Sequence, residues 1–260
     1  YYFCSDVREE YNYRTIDNEA AVIDELPNNW PHHNALKLTG KSYGELTPNE
    51  KSKVNGTLDY SQWKLPPYKE YYKSDTKDKP TVFITNVYNH PDPTDNRHFH
   101  HFNIEGLYDM FVDLTEKGYK IIYKRERNNH NEITFDQNES GVNADITAYV
   151  EGHGIITDYQ LTKHFNDVHI FSELLEKQTL GYNEFQLRTM ASCDKFISVC
   201  GGNGILSSCF GGDVIMYITQ GYELREGYLD ENSYFKKLSN ANIMPVFDNV
   251  IDIRKRGHNY

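Results

Sequence analysis

The sequence predicts an α/β protein. Two observations carry the prediction: short apolar runs recur between residues 81 and 247, and stretches with apolar residues at helical spacing separate them. Alternation of this kind builds a parallel sheet covered by helices. Neither an all-α nor an all-β chain alternates so regularly, and no internal repeat is present.

Residues 1–79 are polar and Tyr-rich. Segments such as Trp30-Pro31-His32-His33 and Trp63-Lys64-Leu65-Pro66-Pro67-Tyr68 read as a wrapping, loop-rich lead-in with short helices. Thr81 to Val87 follows Pro80 as a buried strand. After a polar loop, Ile104, Leu107, Met110, Phe111 and Leu114 mark a helix that Gly118 stops. Tyr119 to Tyr123 is the next strand, which completes a strand–helix–strand unit. The polar segment from Arg125 to Asn143 reads as a mobile loop. Ile155-Ile156-Thr157 and Val168 to Phe171 are short strands; Leu174-Leu175 and then Phe185, Leu187 and Met190 fit helices. Lys195 to Cys200 is a strand, Ile205 to Phe210 a short helix and Asp213 to Ile218 a strand. A helix near Tyr234 to Leu238 and a strand at Ile243 to Phe247 close the series.

Composition narrows the function. Of 260 residues, 38% are hydrophobic and 14% aromatic, enough for a sizeable core and too many for a disordered chain. The net charge of −11 argues against nucleic acid as the main partner. No window approaches the length of a membrane span. Cys4, Cys193, Cys200 and Cys209 form no CxxC pair, and three of them fall in one apolar segment, as buried thiols of a reducing compartment do. A cytoplasmic location follows. The competing location is a lumenal domain trimmed of its anchor, since the chain begins at Tyr1 and carries the sequons Asn55-Gly-Thr57 and Asn138-Glu-Ser140.

The stretch that points to chemistry is the strand ending at Cys200, followed by Gly201, Gly202, Asn203 and Gly204 and then a helix. Glycines bring backbone close to a ligand, and the helix start offers N–H groups to an anion. Such turns sit at the carboxyl ends of parallel strands, where ligands bind. Glu223 and Glu226, past the neighbouring strand, are placed to accept hydrogen bonds from ribose hydroxyls. Tight packing alone also explains a glycine-rich strand-to-helix turn. The pattern is neither a Walker A loop nor GxGxxG.

Asn183-Glu184 through Ala191-Ser192-Cys193-Asp194, the strand, Gly-Gly-Asn-Gly and Phe210-Gly211-Gly212 together resemble the donor-binding half of inverting GT-B glycosyltransferases. Phe83-Ile84-Thr85-Asn86-Val87-Tyr88-Asn89 resembles an opening motif of polysaccharide-building transferases from bacteria and large algal viruses, with Val87 in place of a lysine. The resemblance spans about residues 80 to 245 and implies a GT-B-like fold of two small Rossmann-like lobes. Residues 1–150, lead-in included, would form the acceptor-side lobe, and 151–260 the nucleotide-sugar lobe. It implies inverting transfer from a nucleotide-sugar co-substrate to a glycan hydroxyl, without metal or other cofactor, and puts Glu184 near the donor pocket. Compensation of the helix dipole is the other role open to Glu184. The absence of any Asp-x-Asp triplet agrees with a metal-free mechanism, for which Arg125 and Arg127 are candidates to neutralise the leaving diphosphate; a solvated charged loop is the other role open to them.

Inversion needs a base for the acceptor hydroxyl. The loop after the first strand offers Asp92 or Asp95, with His90 next, and the sequence does not choose among them. The same loop's His98, His100 and His101 suggest a rival reading, a metal-dependent hydrolase, although no nearby Cys completes a tetrahedral set and a His-rich surface loop explains them as well. A non-catalytic nucleotide- or glycan-binding module is a further rival, and a single-domain version of the same sheet is the structural one.

Overall fold

The computed structural model describes residues 31–57, 68–72, 79–87, 101–125, 146–199, 202–218 and 239–247. Its centre is a six-stranded parallel sheet built from β1 (Thr81–Asn86), β2 (Lys120–Arg125), β5 (Val168–Ile170), β6 (Lys195–Val199), β7 (Gly212–Ile218) and β8 (Ala241–Phe247). The spatial order is β5-β2-β1-β6-β7-β8. Counting only these six strands, that is 3-2-1-4-5-6, the order of a doubly wound Rossmann-type sheet. Every position of β1 is buried, as a strand covered on both faces requires. Pro245 lies in the edge strand β8, where a missing N–H is tolerated.

This sheet corrects the expectation of two lobes with separate sheets. Strands from residues 1–150 and from 151–260 belong to one sheet, with Val82 to Thr85 of β1 paired to Lys195 to Ser198 of β6. Alternating strands announce a parallel sheet, but their order in sequence does not say where one sheet ends.

One face packs Phe83, Ile122, Phe196 and Val214 against α6 (Phe171–Leu175), α7 (Tyr182–Ala191) and α8 (Gly202–Ser208). The lead-in joins this face. In α3 (Tyr68–Tyr71), Tyr68 stacks on Phe210 at 5.6 Å between ring centres, and the Lys69 ammonium donates to the Cys193 carbonyl. The other face packs Val82, Ile84, Ile121, Tyr123 and Ile197 against α4 (Ile104–Glu116) and α5 (Asp158–Thr162). Residues Ile104, Leu107 and Phe111 supply the buried stripe of α4, and Gly118 at φ 79° ends it, with the Tyr119 N–H returning to the Leu114 carbonyl.

The alternation left two elements unread on this second face. An antiparallel hairpin, β3 (Thr147–Val150) with β4 (Gly154–Thr157), lies outside the main sheet and turns Ala148, Val150 and Ile156 inward. The strand expected at Ile155–Thr157 is therefore present, but it pairs with β3. A full capping box at Thr157 and Gln160 then starts α5. In the lead-in, α1 (Pro31–Thr39) and α2 (Pro48–Gly56) enclose a small cluster of Ala35, Leu46 and Val54. Thr47 caps helix α2: its hydroxyl oxygen accepts from the Glu50 N–H at 3.3 Å, and its own N–H donates to the Glu50 carboxylate at 2.8 Å. The helix expected near Tyr234 to Leu238 lies outside the described residues, and so does the expected loop beyond Arg125, through Asn143.

Candidate functional site

In a doubly wound sheet the crevice opens at the carboxyl edge, between the two strands whose connections leave to opposite faces. Here these are β1, which feeds α4 on one face, and β6, which feeds α8 on the other. A hydrogen bond of 2.6 Å between the buried hydroxyls of Thr85 and Ser198 ties the two strands just below the crevice.

Asn86 closes β1. Its Oδ1 accepts from the N–H groups of Val87 (3.1 Å) and Phe102 (2.9 Å), and its Nδ2 donates to the Phe102 carbonyl and the Tyr123 hydroxyl, both at 3.2 Å. Asn86 thus holds Val87 and Phe102 together at the crevice. His90, Asp92 and Asp95, between Val87 and His101 in sequence, lie outside the described residues, as do His98 and His100; His101 is half-buried.

At the end of β2 two cations point to opposite faces. The side chain of Arg125 is 1% exposed and that of Asp158 0%; Nε donates to Oδ2 at 2.6 Å and Nη2 to Oδ1 at 3.0 Å, a bidentate pair. The Tyr123 hydroxyl donates to the same carboxylate at 2.7 Å, and the guanidinium lies 4.6 Å from the Tyr159 ring centre. Burial pulls the Arg125 pKa down, but Asp158, aided by Tyr159 and Tyr123, outweighs it and the pKa ends raised. Arg125 is thus committed to the interior, and the expectation that it grips a diphosphate is corrected. Its neighbour Arg127 lies outside the described residues.

Lys124 takes the other face. Its ammonium, in a residue only 4% exposed, donates to Gln186 Oε1 of α7 at 2.9 Å and to Asn203 Oδ1 of α8 at 3.1 Å. It also lies 5.3 Å from the Tyr182 ring centre and 5.8 Å from that of Phe171. A buried positive charge is therefore fastened to the glycine-rich turn itself. Sequence reasoning passed over both Lys124 and Gln186. A signal existed: a lysine inside a strand buried on both faces needs polar partners.

The turn has two parts. Gly202 and Asn203 open α8, and Asn203 is half-buried at the edge. Gly204 has a packing role: a Cβ there would lie 3.0 Å from Met216 Cε and 3.4 Å from the Val199 carbonyl oxygen, so its absence lets α8 settle onto β6 and β7. Gly201 and Glu223 fall outside the described residues. Glu184, on the exposed first turn of α7, accepts from Arg188 one turn on at 2.8 Å and 2.9 Å. Among the described contacts that pair occupies it, while Gln186, two residues along, reaches the turn.

Compared with family models, with curated proteins and with solved structures, the chain matches none. Among the described residues no helix is long and apolar enough to cross a membrane, and no group of three or more His, Cys, Asp or Glu side chains is arranged to hold a metal ion.

Proposed function

We propose that the protein is a glycosyltransferase that moves a sugar from a nucleotide-sugar donor to a glycan hydroxyl, inverting the anomeric centre without a metal. The observation that carries the reading is the Lys124 ammonium held against Asn203, in a glycine-rich turn at the crevice of a Rossmann-type sheet. A buried cation and main-chain N–H groups at one turn favour a phosphate-bearing ligand, even in a protein of net charge −11. In this reading the described sheet is the nucleotide-binding unit. Lys124, rather than Arg125, supplies the positive charge, and Gly201, Gly202 and Asn203 meet the diphosphate.

The acceptor side is the segment that follows Asn86 in sequence. A base there, Asp92, Asp95 or His90, takes the proton of the acceptor hydroxyl. The acceptor oxygen bonds to the anomeric carbon as that carbon's bond to the diphosphate oxygen breaks on the opposite side. The nucleoside diphosphate leaves with the electron pair. Glu223, five residues beyond the end of β7, is assigned to the ribose.

Thermal-shift titration with UDP-, GDP-, CMP- and dTDP-sugars tests donor binding, because a ligand that binds only the folded state raises its stability by RT ln(1 + [L]/Kd). The decisive variant is Asn203→Asp. The new carboxylate would pair with Lys124, so the fold should persist. It would also cancel the cation and repel phosphate, weakening nucleotide-sugar binding by at least about tenfold, or ~1.4 kcal/mol. Unchanged affinity would overturn the assignment of this turn.

A further inference from the structure

Away from the crevice, the rings of two histidines on different elements meet in a tilted contact. His153 sits in the turn of the β3–β4 hairpin, between Gly152 at φ 80° and Gly154 at φ 78°. His164 follows the end of α5. Their ring centres are 4.3 Å apart, with the planes inclined at 58°. Both backbones are fixed, since the His153 N–H donates to the Val150 carbonyl at 3.0 Å and the His164 N–H to the Leu161 carbonyl at 3.1 Å. The Tyr108 ring of α4 stands 5.4 Å from His153 and 6.1 Å from Phe165, walling one side of the pair. Among the described residues neither imidazole makes a side-chain hydrogen bond, and His164 is exposed and His153 half-buried.

We infer that His153 and His164 form a two-imidazole site for a divalent transition-metal ion of the Cu(II) or Ni(II) type, its remaining positions filled by water. The ring separation selects the geometry. A metal about 2.0–2.1 Å from one nitrogen of each imidazole lies roughly 3.2 Å from each ring centre. Two centres 4.3 Å apart then subtend about 85° at the metal. That is close to the cis angle of a square-planar or tetragonal site and well short of tetrahedral, and nitrogen-and-oxygen sites of this shape suit Cu(II) and Ni(II). The 58° inclination is compatible with two cis ligands, since the planes of cis imidazoles need not be coplanar. Bound there, the ion would join the hairpin turn to the end of α5. The inference does not depend on the glycosyltransferase reading.

The test uses the full chain without a polyhistidine tag, titrated with Cu(II) or Ni(II) alone at neutral pH. Calorimetry should give one equivalent lost in the double variant His153→Gln/His164→Gln, with each single substitution weakening binding by at least about tenfold. The Cu(II) electron paramagnetic resonance spectrum of the unaltered protein should carry the splitting of two imidazole nitrogens and lose it in the double variant. Far-UV circular dichroism of the metal-free variants checks the fold, and the nitrogen count in the unaltered protein stands whether or not they fold. Equal binding by the unaltered and double-variant proteins, which would move the metal to sites such as His98 to His101, would overturn the inference. So would a spectrum without two-nitrogen coordination.

Discussion

The bidentate pair of Arg125 and Asp158 is the most consequential polar contact in the described structure, and its removal has a calculable cost. Asp158→Ala strips a fully buried guanidinium of its counter-charge and the Tyr123 hydroxyl of its acceptor. Removing one partner of a buried ion pair costs about 3–5 kcal/mol. The lost hydroxyl bond adds about 1 kcal/mol. The sum, about 4–6 kcal/mol, is a large share of the roughly 5–15 kcal/mol that stabilises an ordinary domain. At about 2–4 °C per kcal/mol for a chain of this size, the midpoint should fall by at least about 8 °C, if the variant folds at all.

Urea unfolding followed by circular dichroism measures the loss directly. The double variant Arg125→Met/Asp158→Leu is the control, because replacing both charges with apolar groups of similar bulk should recover most of it. That recovery separates a stranded charge from a mere cavity. A loss below about 1 kcal/mol for Asp158→Ala would place the pair among solvated surface bridges and refute the argument. A double variant no better than the single one would refute the charge mechanism.

Three further outcomes follow from the geometry. Lys124→Met keeps the bulk of the side chain and removes its charge from Asn203 and Gln186, so nucleotide-sugar affinity should fall at least about tenfold while far-UV circular dichroism is unchanged, as binding isotherms would record. Gly212→Ala should destabilise by about 2–4 kcal/mol on chemical denaturation, because φ is 75° and the added Cβ would lie 2.6 Å from the Asp194 carbonyl oxygen. On acidification, Lys79 holds the Asp167 carboxyl below its ordinary value and Lys195 does the same for Asp213, while hydrogen bonds from Thr47 and then Lys41 bring Glu50 from 4.5 to about 2. Carboxylates with a lowered folded-state pKa bind fewer protons folded than unfolded, so their stabilisation is complete above the unfolded value and is lost as pH falls below it. Thermal midpoints should therefore drop from about pH 4.5 toward 2, less steeply in high salt, since these are exposed pairs. A flat profile there would show that they contribute nothing.

The strands were legible because a strand covered on both faces must be apolar throughout. Thr81 to Asn86, Lys195 to Val199 and Gly212 to Ile218 fall within a residue or two of their expected bounds for that reason. The stripe Ile104, Leu107 and Phe111 and the stop at Gly118 were legible in the same way. The pairing was not. Nothing local in the run from Thr81 says that its neighbours are β2 and β6, because that choice is made by crossovers and by packing between residues far apart in sequence. The hairpin strand β3 escaped because it is half-exposed and only four residues long, with Tyr149 on the outside where a buried strand would be apolar.

The candidate site divides along the same line. The bend after β6 was readable from its glycines, yet the sequence could not separate a glycine that approaches a ligand from one that admits a helix, and Gly204 is the second kind. The roles of Lys124 and Arg125 turn on a single residue of register. Side chains alternate across a strand, so adjacent cations go to opposite faces: one meets Asp158 and is neutralised in the interior, and the other meets two amide oxygens beside the crevice. An arginine is the ordinary choice for a planar carboxylate partner, since its fork matches both oxygens, whereas an ammonium serves as a compact charge that two neutral acceptors can hold. Exchanging the two residues, Lys124→Arg with Arg125→Lys, therefore tests the division of labour without altering composition. The new lysine can satisfy only part of the bidentate geometry at Asp158, and the new arginine would bring a planar fork to a place where a compact ammonium is held by two neutral oxygens beside the rings of Tyr182 and Phe171. Stability and donor binding should both fall, and a swapped protein with normal values of each would show that neither site depends on which cation it holds.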